Sequence, residues 1–561
     1  MVWAGRPAAW AWARLRAAAQ QPRGAMAQHA WVLARRPWHR TKLYRATLGR
    51  RPPERFDLEP ADPWPGDVDN GRAFLTDRIE LEGRMLAAPT PFWRPDEADP
   101  AWLAALHGFR WVRDLRAVGS DHARRRAREL MHDWLARHPG PGEPAMAWHP
   151  APTGRRLAVW LANQPFLIHG AGAAFGGAVA LSVMRQARHL SRVLPAGLMG
   201  AELIAAIKGL IFAGACVPQG RLWVRQGLEL METELDAQVL ADGGHVSRTP
   251  STHLDVLGDL IDIRNVLAGG NMAVPESLRA AIDSMAPVLK MLRHGDGGLA
   301  VFNGGHEGRP AVVEQALQQV NARIRAQDAA PQSGFQRLRA QRTQVIADAG
   351  PPPPPGHDTR AHAGILSFEL SDGTDRVIVN CGALSGHPKW SMPLRATAAH
   401  STLTLADTNA AEILAPAGGL GTRRPVHVMC RREASEGAGW LAMGHDGYRP
   451  LFNAVHARRL FLATHGDDLR GEDTVTGPPD LPFAVRFHVH PSVHVTIDTD
   501  GTAVLATPTG ARWRLRAQGA SLDVEPSIYL GSGHLRHTYQ VVLTATTTRG
   551  DTVVKWALKR A

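Results

Sequence analysis

The chain has 561 residues, 44% of them hydrophobic and 21% charged. That is longer than one core usually supports and ordinary in composition, so two or more domains are expected, and a disordered chain, a collagen or a coiled-coil rod is excluded. The net charge of +12 gathers at one end: residues 1–56 hold twelve Lys or Arg against a single acid, Glu54. The rest of the chain is close to neutral.

The basic segment also carries Trp3, Trp10, Trp12 and Trp31. A helix of that mixture suits an anionic membrane face, and a solvated basic leader is the plainer alternative. Arg14 and Arg16 interrupt the run where the apolar core of a signal peptide would continue. The expected location is therefore cytoplasmic or on the inner membrane, with a periplasmic one left open. The most apolar stretch, residues 201–218, is broken by Lys208, Gly209 and Gly214 and is too interrupted to span a bilayer. Cys216, Cys381 and Cys430 are too scattered for a disulfide framework or a zinc ribbon.

Beyond a basic segment at 1–60, residues 61–325 read as helix. Apolar residues return about once per turn, as at Leu103, Leu106, Phe109 and Val112 and again at Leu254, Leu257, Leu260 and Ile261. Many helices of moderate length suggest paired helices closing into a toroid. Residues 326–360 change character and contain five prolines at 351–355, a run that favours extended polyproline and reads as a linker. Residues 361–561 alternate in short β-branched runs at 376–380, 401–405, 456–463, 485–489, 493–497, 512–516, 539–544 and 552–557. Turn residues separate them, which predicts an antiparallel β-sandwich. The expected fold is multidomain α+β, helices first and sandwich second.

Four segments carry a resemblance. They are Trp148-His149-Pro150 with Gly154-Arg155-Arg156-Leu157 and Trp160; Asp242-Gly243-Gly244-His245 through Arg248-Thr249-Pro250; Ala398-Ala399-His400-Ser401-Thr402; and Arg486-Phe487-His488-Val489-His490-Pro491. In that order the chain resembles the heparinase II/III-like polysaccharide lyases over residues 100–560. The resemblance implies an α/α toroid followed by a sandwich, and β-elimination on a uronate-containing polysaccharide. That chemistry needs a group to neutralise the C5 carboxylate, a base for the C5 proton and an acid for the leaving oxygen. The chain departs from the pattern twice: the Asn-His pair is missing near Gly200-Ala201-Glu202, and Thr252 stands where the family has a tyrosine.

The candidate catalytic residues are His245, after a double glycine that suits a tight exposed turn, His400 at the head of a strand-like run, and Tyr448 in a loop-like run. For each, the plain alternative is a packed or hydrogen-bonded structural residue. Arg155, Arg156, Trp160, Arg248 and Asn303 are candidates for substrate binding, the arginines because a guanidinium forks onto a carboxylate and Trp160 because a ring stacks on a sugar. His488 and His490 share a strand face and could hold zinc or another divalent metal, although nothing in the sequence requires a cofactor. The alternative to a lyase is an acidic-glycan-binding protein on the same scaffold. No phosphate loop, nucleophile elbow or aromatic-basic interleaving points to nucleotides or nucleic acid.

Overall fold

The computed structural model describes residues 37–561 except 40, 50, 88–90, 143–144, 322, 359, 384–387, 415–423, 425 and 436–437. Most of the basic, Trp-bearing segment therefore lies outside the described residues. The chain begins with α1 (Lys42–Thr47), α2 (Val68–Leu75) and a hairpin of β1 (Arg78–Leu81) and β2 (Arg84–Ala87). The helical body follows: α3 (Pro100–Gly108), α4 (Val112–Val118), α5 (Asp121–Arg137), α6 (Pro150–Ala162), α7 (Ala173–Val193), α8 (Gly200–Cys216), α9 (Arg221–Gln238), α10 (Pro250–Gly269), α11 (Glu276–Met291) and α12 (Pro310–Val320). Asp67, Asp99 and Ser120 accept backbone N–H groups at the heads of α2, α3 and α5. Proline occupies the first turn of α6, α10 and α12. Both devices deal with the amides that a helix start leaves without partners.

Helix α8 is apolar on nearly every side and is the middle of this body, packed on α6, α9 and α10. Its crossing with α6 is closed by glycines. A Cβ on Gly154 would stand 2.2 Å from Ala205 O, and one on Gly209 would stand 2.3 Å from Gly154 Cα. A larger residue at either position would push the helices apart. The stretch that hydropathy singled out is thus a core helix, and Lys208 within it is paired with Asp259 and Asp262. No helix among the described residues is long and apolar enough to cross a membrane.

The second half is all antiparallel strand. β3 (Ala329–Ala330), β4 (Phe335–Ala340), β5 (Thr343–Asp348), β6 (Phe368–Asp372), β7 (Asp375–Val379) and β8 (Leu403–Leu405) come first. β9 (Val428–Ser435), β10 (Ala438–His445), β11 (Val455–Leu462), β12 (Asp468–Gly477) and β13 (Pro482–Val489) follow, then β14 (His494–Ile497), β15 (Ala503–Ala506), β16 (Arg512–Gln518), β17 (Ser521–Tyr529), β18 (Arg536–Thr546) and β19 (Gly550–Arg560). One sheet runs β17-β18-β13-β7-β6-β5-β4-β3, with β8 on β13; the other runs β14-β15-β16-β19-β12-β11-β10-β9. The two inner faces share one apolar core, in which Phe368 of the first sheet stacks on Trp556 of the second with centroids 5.6 Å apart. The fold is a helical body followed by an antiparallel sandwich.

The expected linker at 326–360 needs correcting. Strands begin at Ala329, only nine residues after α12 ends at Val320, and the prolines at 351–355 connect β5 to β6 inside one sheet. Proline punctuates there because it cannot donate to a strand ladder.

Candidate functional site

A cleft of about 840 Å³ opens on the helical body, with one wall supplied by Gly356, His357, Arg360 and Ala361 of the sandwich half. Its floor is built by α10. Asp255, Asp259 and Asp262 sit four and three residues apart, so they share one helix face, and all three line the cleft. Facing them are Arg110 from the turn before α4, Arg155 from α6, and Glu202 and Lys208 from α8. The β1–β2 hairpin contributes Glu80 and Glu82, the turn before α10 contributes His245, Ser247 and Thr249, and the first turn of α10 contributes Thr252.

The cations and carboxylates largely neutralise one another. Arg110 Nη1 lies 3.0 Å from Asp255 Oδ1, and Lys208 Nζ lies 2.5 Å from Asp259 Oδ1 and 3.0 Å from Asp262 Oδ2. Arg113 Nε lies 2.8 Å from Asp62 Oδ2, and Arg309 Nη1 lies 3.6 Å from Asp114 Oδ1. Burial raises the pKa of Asp262 even with Lys208 beside it. Asp255 is held below the usual range, because Arg110 and Arg155 outweigh its burial. Arg155 differs from the other cations: its Nε is buried without a partner, and burial together with Arg110 lowers its pKa.

His245 reaches the cleft wall but has both ring nitrogens engaged. Gln238 donates through its amide to Glu234, which leaves Oε1 to accept from His245 Nε2 at 3.0 Å. Nδ1 then accepts from Ser247 Oγ at 2.7 Å and from the Ser247 amide at 3.2 Å. Burial pushes the ring pKa down to about 3, with His253 and His357 nearby acting in the same direction. This imidazole is neutral and has no free lone pair to take a proton.

Several expected site residues lie elsewhere. Arg156 is fully buried: Nε donates to Gln186 Oε1, Nη1 to His107 O at 2.6 Å, and its guanidinium stacks on Trp134. Trp160 packs edge-on to Phe109 and Trp134 in the helical core. Arg248 is buried in an ion pair with Asp348 and donates to Ser333 O at 2.6 Å. Asn303 donates to Arg248 O at 3.2 Å, so its amide props the same seam.

Tyr448 is a core residue and not a loop residue facing a ligand. It is wholly buried and donates to Leu403 O at 2.8 Å, and burial pushes its phenol pKa up. His400 is buried, with Nε2 3.1 Å from His362 Nδ1 and its own Nδ1 against Ala396 O. His488 lies between Ser527 Oγ at 2.9 Å and Ala398 O at 2.9 Å. His490 faces Ser492 and lies 3.8 Å from Glu307. Among the described residues no group of three or more His, Cys, Asp or Glu is arranged to hold a metal ion, so the His488–His490 pair lacks the further ligands zinc needs.

The sequence models for "Heparinase II/III N-terminus" and "Heparinase II/III-like, C-terminal" match residues 92–328 and 322–557. The chain belongs to the heparinase II/III-like family. It is 34% identical over 532 residues to FtsZ-localized protein C of Caulobacter vibrioides, covering 91% of this chain and 90% of that one. Heparinase III superposes with a TM-score of 0.70 at 14% identity, over 92% of this chain and 88% of its own. The heparan sulfate lyase HepC from Pedobacter heparinus gives 0.57 at 17%, over 96% and 88%. At these identities the two lyase structures show a shared fold.

For a heparinase II/III-like chain, the cleft holds residues that sequence reading missed: Asp255, Asp259, Asp262, Lys208, Arg110 and His357. The signal was present as three aspartates spaced along one face of a leucine- and isoleucine-rich helix. It was masked because the neighbouring leucines were read as the whole pattern.

Proposed function

We propose that the protein binds an acidic, uronate-bearing saccharide in this cleft and does not cleave it by the tyrosine-dependent β-elimination of its family. One observation carries the reading. Thr252, at the position where the family resemblance calls for tyrosine, lines the cleft, and none of the four tyrosines does. Tyr44, Tyr448 and Tyr529 are buried, and Tyr539 lies on β18. With His245 neutral and doubly bonded, the cleft lacks the phenol of the tyrosine-dependent route, and the imidazole at the family-motif position has no free lone pair to exchange protons with C5 and O4. Arg155 is the residue that meets the carboxylate.

β-Elimination is the second reading, and His357 favours it. This imidazole lines the cleft from the sandwich side, and burial lowers its pKa, so it is unprotonated at neutral pH. The two readings separate in one experiment. Purified protein is incubated with a panel of uronate polymers while the absorbance of a new unsaturated uronide is followed and binding is measured by calorimetry. Binding with flat absorbance supports the first reading; growing absorbance that is lost in His357→Ala supports the second.

A cytoplasmic or inner-membrane-associated place belongs to the same proposal. Its support is the relative named for localising with FtsZ and the basic, Trp-bearing segment 1–56, which suits an anionic lipid face.

A further inference from the structure

Each sheet of the sandwich has two edges, and three of the four edge strands are blunted. β3 is two residues long and β14 four, and β17 carries Pro526, which cannot donate to a ladder. β9 is the fourth. It is eight residues long, has no proline and ends the second sheet beside β10. Asp446 N donates to His427 O in the register that β9 and β10 share. Antiparallel pairing alternates, so the odd-numbered residues of β9 turn their N–H and C=O groups toward β10 and the even-numbered ones turn theirs outward. Among the described residues, the backbone groups of Val428, Cys430 and Arg432 have no hydrogen-bond partner. A free row of this kind is a template for another strand.

The side chains beside the row say which strand fits. Arg431 and Glu433 stand on the solvent-facing side, opposite Ala442 and Trp440 of β10, and both are well exposed. Charge of a single sign on an edge keeps other chains away. These two are opposite in sign and two residues apart, so the edge is complementary to itself under a two-fold axis. With the axis at Arg432, Arg431 of each copy falls opposite Glu433 of the other. The free backbone groups of Arg432 then pair with those of its image, and the charged pairs take the positions where facing side chains are closest. Moving the axis by one residue would set Arg431 against Arg431, or Glu433 against Glu433. The Arg432 side chain is drawn to the inner side, where it donates to Asp328 O and Arg337 O at the edge of the first sheet.

We infer, independently of what the cleft binds, that β9 is the contact through which two copies of this chain pair, antiparallel about a two-fold axis at Arg432 that joins their second sheets edge to edge. Apolar surface is covered at the same time. Met429 on β9 is 52% exposed and Trp440 on β10 is 44% exposed, both on the face that carries Arg431 and Glu433.

The test uses the full chain in analytical ultracentrifugation over a wide concentration range, with hydrogen exchange of the β9 amides followed in the same samples. A monomer–dimer equilibrium is expected, weakened by high salt. The Val428, Cys430 and Arg432 amides should gain protection as dimer accumulates. Arg431→Glu and Glu433→Arg should each weaken the dimer about tenfold, because each turns two attractive pairs into repulsive ones. The double exchange, Arg431→Glu with Glu433→Arg, should restore it, a recovery that misfolding cannot mimic. A chain that stays monomeric at every concentration overturns the inference: protected β9 amides would then mean that its own chain covers the edge, and open ones that the edge is left to a different partner. A dimer also overturns it if both single reversals leave it intact, if the double exchange fails to restore it, or if its β9 amides exchange as freely as those of the monomer.

Discussion

Arg248, in the turn before α10, and Asp348, at the end of β5, form an ion pair buried at the seam between the helical body and the sandwich. The guanidinium also donates to Ser333 O and Gly350 O, and it reaches the first proline of the 351–355 run through Pro351 O. Its place in the family-like motif is therefore structural. Burial raises the Asp348 pKa even against this guanidinium. Removing the guanidinium leaves a buried carboxylate unpaired, a change that typically costs about 3–5 kcal/mol. Arg248→Ala should lower the denaturation midpoint sharply. Arg248→Lys should fall between, because an ammonium keeps the charge but cannot reach three carbonyls and a carboxylate at once. A wild-type melting curve for Arg248→Ala would refute this assignment.

His245, His400 and His488 are buried with pKa values pushed down to about 3, 4 and 3. The main cause in each case is loss of water around the charged ring. A histidine with a depressed folded pKa stays neutral in the native state while the unfolded chain takes up a proton below about pH 6.5. Stability from these groups is therefore complete above that pH and declines as pH falls from about 6.5 toward 4, by up to about 1.4 kcal/mol per pH unit for each ring. Chemical denaturation across that window should show a steep loss of stability, and His488→Gln should make the slope shallower. A slope unchanged by the substitution would mean His488 is already protonated in the fold.

Tyr448 shows how a loop-like sequence can mislead. Gly447 and Asp446 read as a turn, and they are one, but the tyrosine after them points inward and donates to Leu403 O on β8. Tyr448→Phe keeps the ring and loses one hydrogen bond, so the expected loss is about 1 kcal/mol. Saccharide affinity should not change, and an affinity drop without a stability drop would return Tyr448 to the site.

The order of the architecture was legible because helical and strand periodicities differ in kind, 3.6 against 2, and each persisted over many residues. The eight strand runs read from 376 onward all fall on observed strands. The start of the sandwich was not legible. β4 and β5 carry Gln, Arg and Thr among their apolar residues, and the prolines after them looked like a stronger boundary than they are. The site was legible only in part. Motif residues such as Arg156, His400 and His488 keep a buried polar lattice satisfied, and that requirement shapes a sequence as firmly as catalysis does. Arg155 and Arg156 are adjacent in sequence, yet on a helix they point about 100° apart, so one reaches the cleft and the other the core.

The N-terminal segment gives the last prediction, and here the structure changes the experiment. Cutting at residue 56 would be expected to remove only a basic leader. Residues 41–49 are in fact docked on α7. Tyr44 is buried with its hydroxyl 2.8 Å from His189 Nδ1, and Arg185, Arg188 and Arg192 donate to the carbonyls of Gly49, Leu48 and Thr47. Those carbonyls end α1, where cationic side chains complement the helix dipole. Two truncations should therefore behave differently. Removal of residues 1–36 should leave the melting temperature within a degree or two of the full chain. Removal through residue 49 exposes the α7 face and strands His189, and should lower the melting temperature clearly. If residues 1–36 bind anionic lipid, with each basic residue near the surface contributing about 1 kcal/mol, the shorter truncation alone should abolish co-sedimentation with phosphatidylserine-containing vesicles. High salt should weaken the full chain's binding in the same assay. Full-chain binding that survives both the truncation and high salt would place the lipid contact, if any, on the body of the protein.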